Sequence, residues 1–173
     1  MMGSGSWLDG GLTPSHFCAW AKAQLGWVEP TNVEEETDLR LPPTEQNRDA
    51  TYRLWRGGEA GSEYFLIENR QRMGFDEHLP LGGLLIWHVN DSEHDNSHPG
   101  AYRVALEQAD GIRDLEVGRN RGDDGDPYPG STGNTIFDET STPSSADTLG
   151  RPTGVYIRKI AVDDGLAEGE VGV

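Results

Sequence analysis

The stretch from Asp110 to Pro152 most limits what this chain can become. It is rich in Gly, Asp, Ser and Pro and reads as one long irregular segment. A compact domain rarely keeps such a segment unless something ties its backbone down. A bound ion could do so, and so could packing of Leu115, Ile136 and Phe137. The regular elements must come from the rest of the chain.

One helix is expected near the N-terminus. Thr13 can cap it, and Pro14 suits its first position. Phe17, Trp20, Ala21 and Leu25 would share one face, and Gly26 is placed to stop it. Strand patterns follow. Thr51 to Trp55 alternates and ends at Gly57-Gly58. Glu63 to Asn69 is apolar in its middle, and Gly83 to Val89 reads as a central strand buried on both faces. Tyr102, Val104 and Leu106 alternate with polar or small neighbours. Val155 to Val162 is another strand, and Glu170 to Val173 begins one more. One helix among several strands predicts an α+β class, mainly antiparallel β, with long Gly/Asp-rich loops. The expected organisation is a single unit over 1–173. Residues 1–27 hold a turn and the helix, 28–50 a linker with short strands at most, and 51–173 a β-rich part with an acidic loop at 110–130.

Charge narrows the function. The formal net charge of -16 repels phosphate backbones, which argues against nucleic-acid partners. No apolar run approaches ~20 residues, so no membrane span is expected. The single cysteine, Cys18, cannot form an internal disulfide. It falls among apolar helix positions, which suits a structural role. No phosphate-binding loop, nucleophile elbow or solenoid-length repeat is present.

Two stretches could carry chemistry. Asp123, Asp124 and Asp126 lie within Gly122-Asp-Asp-Gly-Asp, with Asp110 and Asp114 just upstream. Calcium takes six to eight oxygens, and glycines let a short loop turn its carbonyls inward. The spacing is not that of an EF-hand. The bland alternative is an acidic turn whose aspartates bind local backbone N–H groups. The second stretch, His88 to His98, holds His88, His94 and His98 with Asp91, Glu93 and Asp95. It gives weak zinc spacing, because Pro99 and the surrounding polar residues argue for loop.

Several blocks together resemble a known family. They are Gly3-Ser-Gly-Ser-Trp7, Pro14-Ser-His16, Ala19-Trp-Ala-Lys-Ala-Gln-Leu-Gly-Trp27, Glu63 to Arg70, Gly83 to Val89, Glu107 to Gly111, and Gly122 to Ser131. In this order they resemble the C-terminal part of the catalytic domain of immune inhibitor A-like secreted bacterial metallopeptidases, which are zincins. The resemblance implies a secreted zinc endopeptidase acting on proteins or peptides. Met2 would be the methionine-turn residue beneath the zinc. It also implies calcium, with Asp110, Asp114, Asp123, Asp124 and Asp126 as candidate ligands. Asn90 and Asp91 are weaker candidates, because Asn90 stands where the family usually has aspartate.

These residues depart from the family in one decisive way. A zincin needs His-Glu-x-x-His on a helix, with two histidines for zinc and a glutamate as general base. None of His16, His78, His88, His94 or His98 belongs to such a motif. The expectation is therefore a partial zincin domain, inactive alone, with no catalytic zinc of its own. Its partner would be the missing N-terminal peptidase subdomain, and apolar surface around the helix would be left uncovered. The alternative is a non-catalytic calcium-binding module for protein interaction.

Overall fold

The computed structural model describes residues 8–59 and 61–173. Met1 to Trp7, including Met2 and the expected methionine turn, lie outside the described residues. A five-stranded sheet runs in the order β1 (Thr31–Asn32), β3 (Thr51–Leu54), β4 (Glu63–Arg70), β5 (Gly83–Asn90), β6 (Val104–Leu106). The β1–β3 pair is parallel, and the others are antiparallel. A three-stranded antiparallel sheet holds β2 (Thr37–Leu41), β8 (Leu166–Gly172) and β7 (Tyr156–Asp163), in that order. The expected class, mainly antiparallel β with one short helix, describes these elements.

The register of β4 on β5 explains why both strands are apolar on two faces. Phe65 pairs with His88, and Ile67 with Ile86. Successive strand residues point to opposite sides. Phe65, Ile67, Leu84 and Ile86 therefore enter the main core with Leu39, Leu41, Ile157 and Val171 of the second sheet. Tyr64, Leu66 and Val89 face the other way and pack against Ala19 of the helix α1 (Ala19–Gln24) and against Val104.

The helix is shorter than its sequence suggests. It begins at Ala19 after an extended Cys18, with no side-chain cap. Thr13 and Pro14 do not open it. Tertiary hydrogen bonds hold the preceding stretch instead: His16 N–H donates to Asp76 Oδ1 at 2.9 Å, and Arg70 Nη2 donates to the His16 carbonyl at 3.2 Å. Its buried face is Ala19, Ala21 and Lys22, while Leu25 is exposed. The stop at Gly26 is as expected. Gly26 has φ +69, and Trp27 N–H returns to the Lys22 carbonyl at 2.9 Å, which closes a Schellman turn.

Residues 28–50 are more than a connection. β2 carries the buried Leu39 and Leu41 into the main core and pairs along β8. In the sequence its alternation is obscured by the acidic residues and prolines that flank it. The long irregular segment is tied at two bridges, Leu84 with Tyr128 and Phe137 with Ile157. Tyr128 and Phe137 are fully buried, whereas Ile136 is exposed.

Candidate functional site

The acidic loop forms because two short stretches are stitched together. Ala109 N–H donates to the Asp126 carbonyl at 3.0 Å, and Asp110 N–H to the Gly125 carbonyl at 3.1 Å. A side chain at Gly125 would put its Cβ 2.6 Å from Asp110 Oδ2 and 3.1 Å from Asp123 Oδ1, so only glycine admits this approach. Asp126 is buried. Burial, with the negative charges of Asp123, Asp110 and Glu116, pushes it up to about 6 despite the hydrogen bond from Asp123 N–H.

Much of the acidic oxygen is already used locally. Asp123 Oδ1 accepts from Gly125 N–H and Oδ2 from Asn120 Nδ2. Asp114 pairs with Arg119 at 2.7 Å, and Asp124 faces solvent. Asp110 and Asp123 thus approach each other at Gly125, and Asp123 and Asp126 line the same cleft, while Asp124 is exposed. The donors are hard oxygens beside a glycine cradle, which suits calcium. Their carboxylates do not converge as a set, however: among the described residues no acidic-loop trio has its ligand atoms within 4.8 Å of one another.

Asn90 and Asp91 serve other ends. Asn90 Oδ1 caps Ser92 N–H at 3.0 Å. Asp91 accepts from the Trp20 indole at 3.1 Å and the Tyr64 hydroxyl at 2.8 Å, with Arg103 at 3.6 Å. The His88–His98 stretch does not come together as a metal set either. His98 is exposed on a turn. His88 sits inside, with Nε2 at 3.0 Å from Glu63 and Nδ1 at 3.1 Å from Glu107. Burial opposes its charge, but the two glutamates overcome this and raise it to about 9.

A different cluster lies beside α1. Ligand atoms of His16, Glu45 and Asp76 all fall within 4.8 Å of one another. Three segments supply them: the extended stretch before α1, the turn after β2, and the 3₁₀ turn after β4. Arg70 grips Asp76 with Nε on Oδ2 and Nη2 on Oδ1, both at 2.6 Å. Burial raises the Asp76 carboxyl, but the Arg70 fork outweighs it and holds the group below its ordinary range. Burial lowers His16, which favours the neutral ring. Both oxygens of Glu45 are buried, and no donor reaches either. Burial, with Asp76 beside it, pushes Glu45 up to about 8. Two carboxylates can hydrogen-bond only through a proton, so an ionised Glu45 is unpartnered.

This cluster was not read from the sequence. Its members are far apart in the chain, and neither Glu45 nor Asp76 belongs to a metal-binding spacing. The one available hint was Pro14-Ser-His16, and nothing in it points to Glu45.

A cleft of about 780 Å³ runs past His16. Ser15, His16 and Cys18 line one side, Leu79 to Leu81 and Trp87 another, and Asn120 to Asp123 a third. Compared with known proteins, the chain matches no family model and no curated protein.

Proposed function

We propose that these residues are the β-rich C-terminal portion of a secreted zinc metalloendopeptidase catalytic domain, inactive alone and stabilised by calcium. One observation carries the reading. Sequence blocks that resemble the immune inhibitor A-like peptidases, and that lie far apart in the chain, contribute to one cleft of about 780 Å³. The Pro14–His16 block, the Gly83–Val89 strand and the Gly122–Ser131 loop all line it. Supporting this, Leu12, Leu25, Trp27 and Phe75 are each more than half exposed near the N-terminal segment. Such apolar surface favours association with a covering partner. A missing subdomain bearing His-Glu-x-x-His would provide both the cover and the hydrolytic zinc.

The test is casein hydrolysis by this chain and by a longer polypeptide that carries a His-Glu-x-x-His helix ahead of Met1. The expected result is no hydrolysis by the chain alone and chelator-sensitive hydrolysis by the longer form. Chelator-sensitive turnover by the chain alone would overturn the reading. So would an inactive but folded longer form.

The approach of Asp110 and Asp123 at Gly125 favours a second reading, a calcium-binding module without catalysis. Both readings share calcium, so activity of the longer polypeptide separates them. No helix among the described residues is long and apolar enough to cross a membrane. Secretion is part of the peptidase proposal and rests on the family resemblance.

A further inference from the structure

We propose that His16, Glu45 and Asp76 form a binding site for one divalent first-row transition-metal ion, with zinc the best match to the donors. This inference is independent of the peptidase reading. It concerns a site built wholly from residues of this chain.

The first argument is geometric. Ligands about 2.0–2.2 Å from a tetrahedral zinc stand about 3.5 Å apart. The three ligand groups already lie within 4.8 Å of one another, so small side-chain rotations close the site. The supporting frame is locked. Thr44 N–H donates to the Asn69 carbonyl at 2.9 Å, which pins the turn holding Glu45 to the end of β4. Lys22 Nζ reaches Thr44 Oγ1 at 3.3 Å from the other side. The His16 backbone is fixed by Asp76 and Arg70.

The second argument is the count of free lone pairs. A carboxylate offers about four lone-pair positions. Asp76 Oδ1 accepts from His16 N–H and Arg70 Nη2, but Oδ2 accepts only from Arg70 Nε. One position on Oδ2 remains. Glu45 contributes two oxygens that meet no donor. A neutral imidazole supplies one ring nitrogen. Arg70 then acts as an outer partner that orients the Asp76 ligand, a common arrangement around bound metals.

The third argument is charge. Lys22 pairs with Glu68 at 2.6 Å, and Arg70 with Asp76 at 2.6 Å. Glu45 is the carboxylate of the group left without a counter-charge. Burying an unpaired ion is costly, so either a proton or a cation must neutralise it. The imidazole favours a transition metal over calcium, which prefers an all-oxygen set. His16 lines the large cleft, so an ion has a route in, and solvent can supply the remaining ligand.

The test strips the full chain with a chelator, dialyses it against zinc, and measures metal per chain after gel filtration. Competition with a chromophoric chelator gives the affinity, and cobalt(II) substitution gives a visible spectrum that reports an imidazole ligand. Wild type should retain one zinc. Glu45→Gln and His16→Gln should each weaken it at least tenfold, and His16→Gln should alter the cobalt spectrum. A His94→Gln/His98→Gln double variant should bind like wild type. Glu45→Gln is isosteric and neutral, and its amide can donate to Asp76, so far-UV circular dichroism should show it folded. If it does not fold, the His16→Gln affinity and spectrum decide. Folded wild type that retains no zinc overturns the proposal and leaves a proton shared between Glu45 and Asp76. Unchanged zinc affinity in both Glu45→Gln and His16→Gln overturns it too, as does loss of zinc only when His94 and His98 are replaced. Peptidase activity enters none of these readouts.

Discussion

Lys22 Nζ lies 2.6 Å from Glu68 Oε2 beneath the helix, with both side chains removed from solvent. Glu68 does more than neutralise the lysine. Its Oε1 accepts from the Ala19 backbone N–H at 3.1 Å and from the Trp87 indole at 2.9 Å. The glutamate therefore binds one of the free N–H groups in the first turn of α1 and joins the helix to the large sheet. Removing one partner of a buried pair costs about 3–5 kcal/mol, because the other is left unpaired. Glu68→Ala should cost in this range, since it strands Lys22, Ala19 N–H and Trp87 together. Lys22→Met should cost less, because Glu68 keeps two donors and has Arg70 at 3.7 Å. Urea denaturation of both variants checks the order. Equal losses would mean that the lysine alone carries the interaction.

The Glu63–His88–Glu107 line makes stability depend on pH. His88 is raised from the usual 6.5 to about 9 by its two glutamates, against the opposing effect of burial. A raised folded value means that its stabilisation is complete below pH 6.5 and is lost as pH climbs through about 9. The full effect is about 3 kcal/mol. Glu63 is held below its ordinary value: burial opposes this, and His88 outweighs it. Its contribution is present above the normal carboxylate range and fades as pH falls below it. This line by itself favours about pH 5–6.5, while Asp126 and Glu45 add losses that are complete by about 6 and about 8; melts of wild type and His88→Gln from about pH 4 to 9.5 at constant ionic strength separate them. In His88→Gln the fall between about pH 8 and 9 should disappear, while the part below about 8 that Glu45 contributes stays. A fall that persists unchanged in this variant would assign it to another group.

The helix and the His16 cluster show where the sequence was legible and where it was not. The strands at 63–70 and 83–90 were readable because each is buried on both faces and is nearly all apolar in its middle. The stop at Gly26 was readable because a left-handed residue there needs glycine. The start of the helix was not, since Thr13-Pro14 is a sound local signal overridden by Arg70 at the end of β4 and Asp76 in the turn after it. Nothing in the sequence marks Lys22 as buried, because its partner Glu68 is far away in the chain. β2 was hidden by its acidic flanks. The sequence shows an acidic stretch at 110–126, but which aspartates face inward depends on the stitching of 109–110 to 125–126. His16, Glu45 and Asp76 meet only through tertiary packing and leave no spacing in the sequence.

Asp126 gives opposite predictions with and without calcium. Its carboxyl is raised from 3.8 to about 6 by burial and by Asp123, Asp110 and Glu116. A raised carboxylate destabilises the fold once pH exceeds the unfolded value, and the penalty is complete above about 6. Asp126→Asn removes that charge and keeps an oxygen for Asp123 N–H. Without calcium at pH 7 it should raise stability by about 3 kcal/mol. A bound ion stabilises wild type by about 2.7 kcal/mol at a hundred times its Kd, and the variant should lose most of that gain. Thermal melts of both proteins in chelator and in millimolar calcium provide the comparison. A wild-type melting temperature indifferent to calcium would remove the loop as an ion site.

Gly83 opens β5 where that strand meets the long irregular segment. Leu84 and Tyr128 exchange backbone hydrogen bonds, each at 2.9 Å. A Cβ at Gly83 would stand 2.6 Å from the Tyr128 carbonyl oxygen and 2.8 Å from Pro127 Cβ. The nearest obstacle is backbone, so it cannot rotate aside. Gly83→Ala should therefore cost about 1–3 kcal/mol through forced displacement. The displacement falls on the bridge that seats Tyr128 in the core and holds the acidic loop beside the cleft. Amide exchange should consequently quicken across 123–130 more than in the three-stranded sheet. A stability loss spread evenly through both sheets would show instead that the bridge is not the point where the loop is anchored.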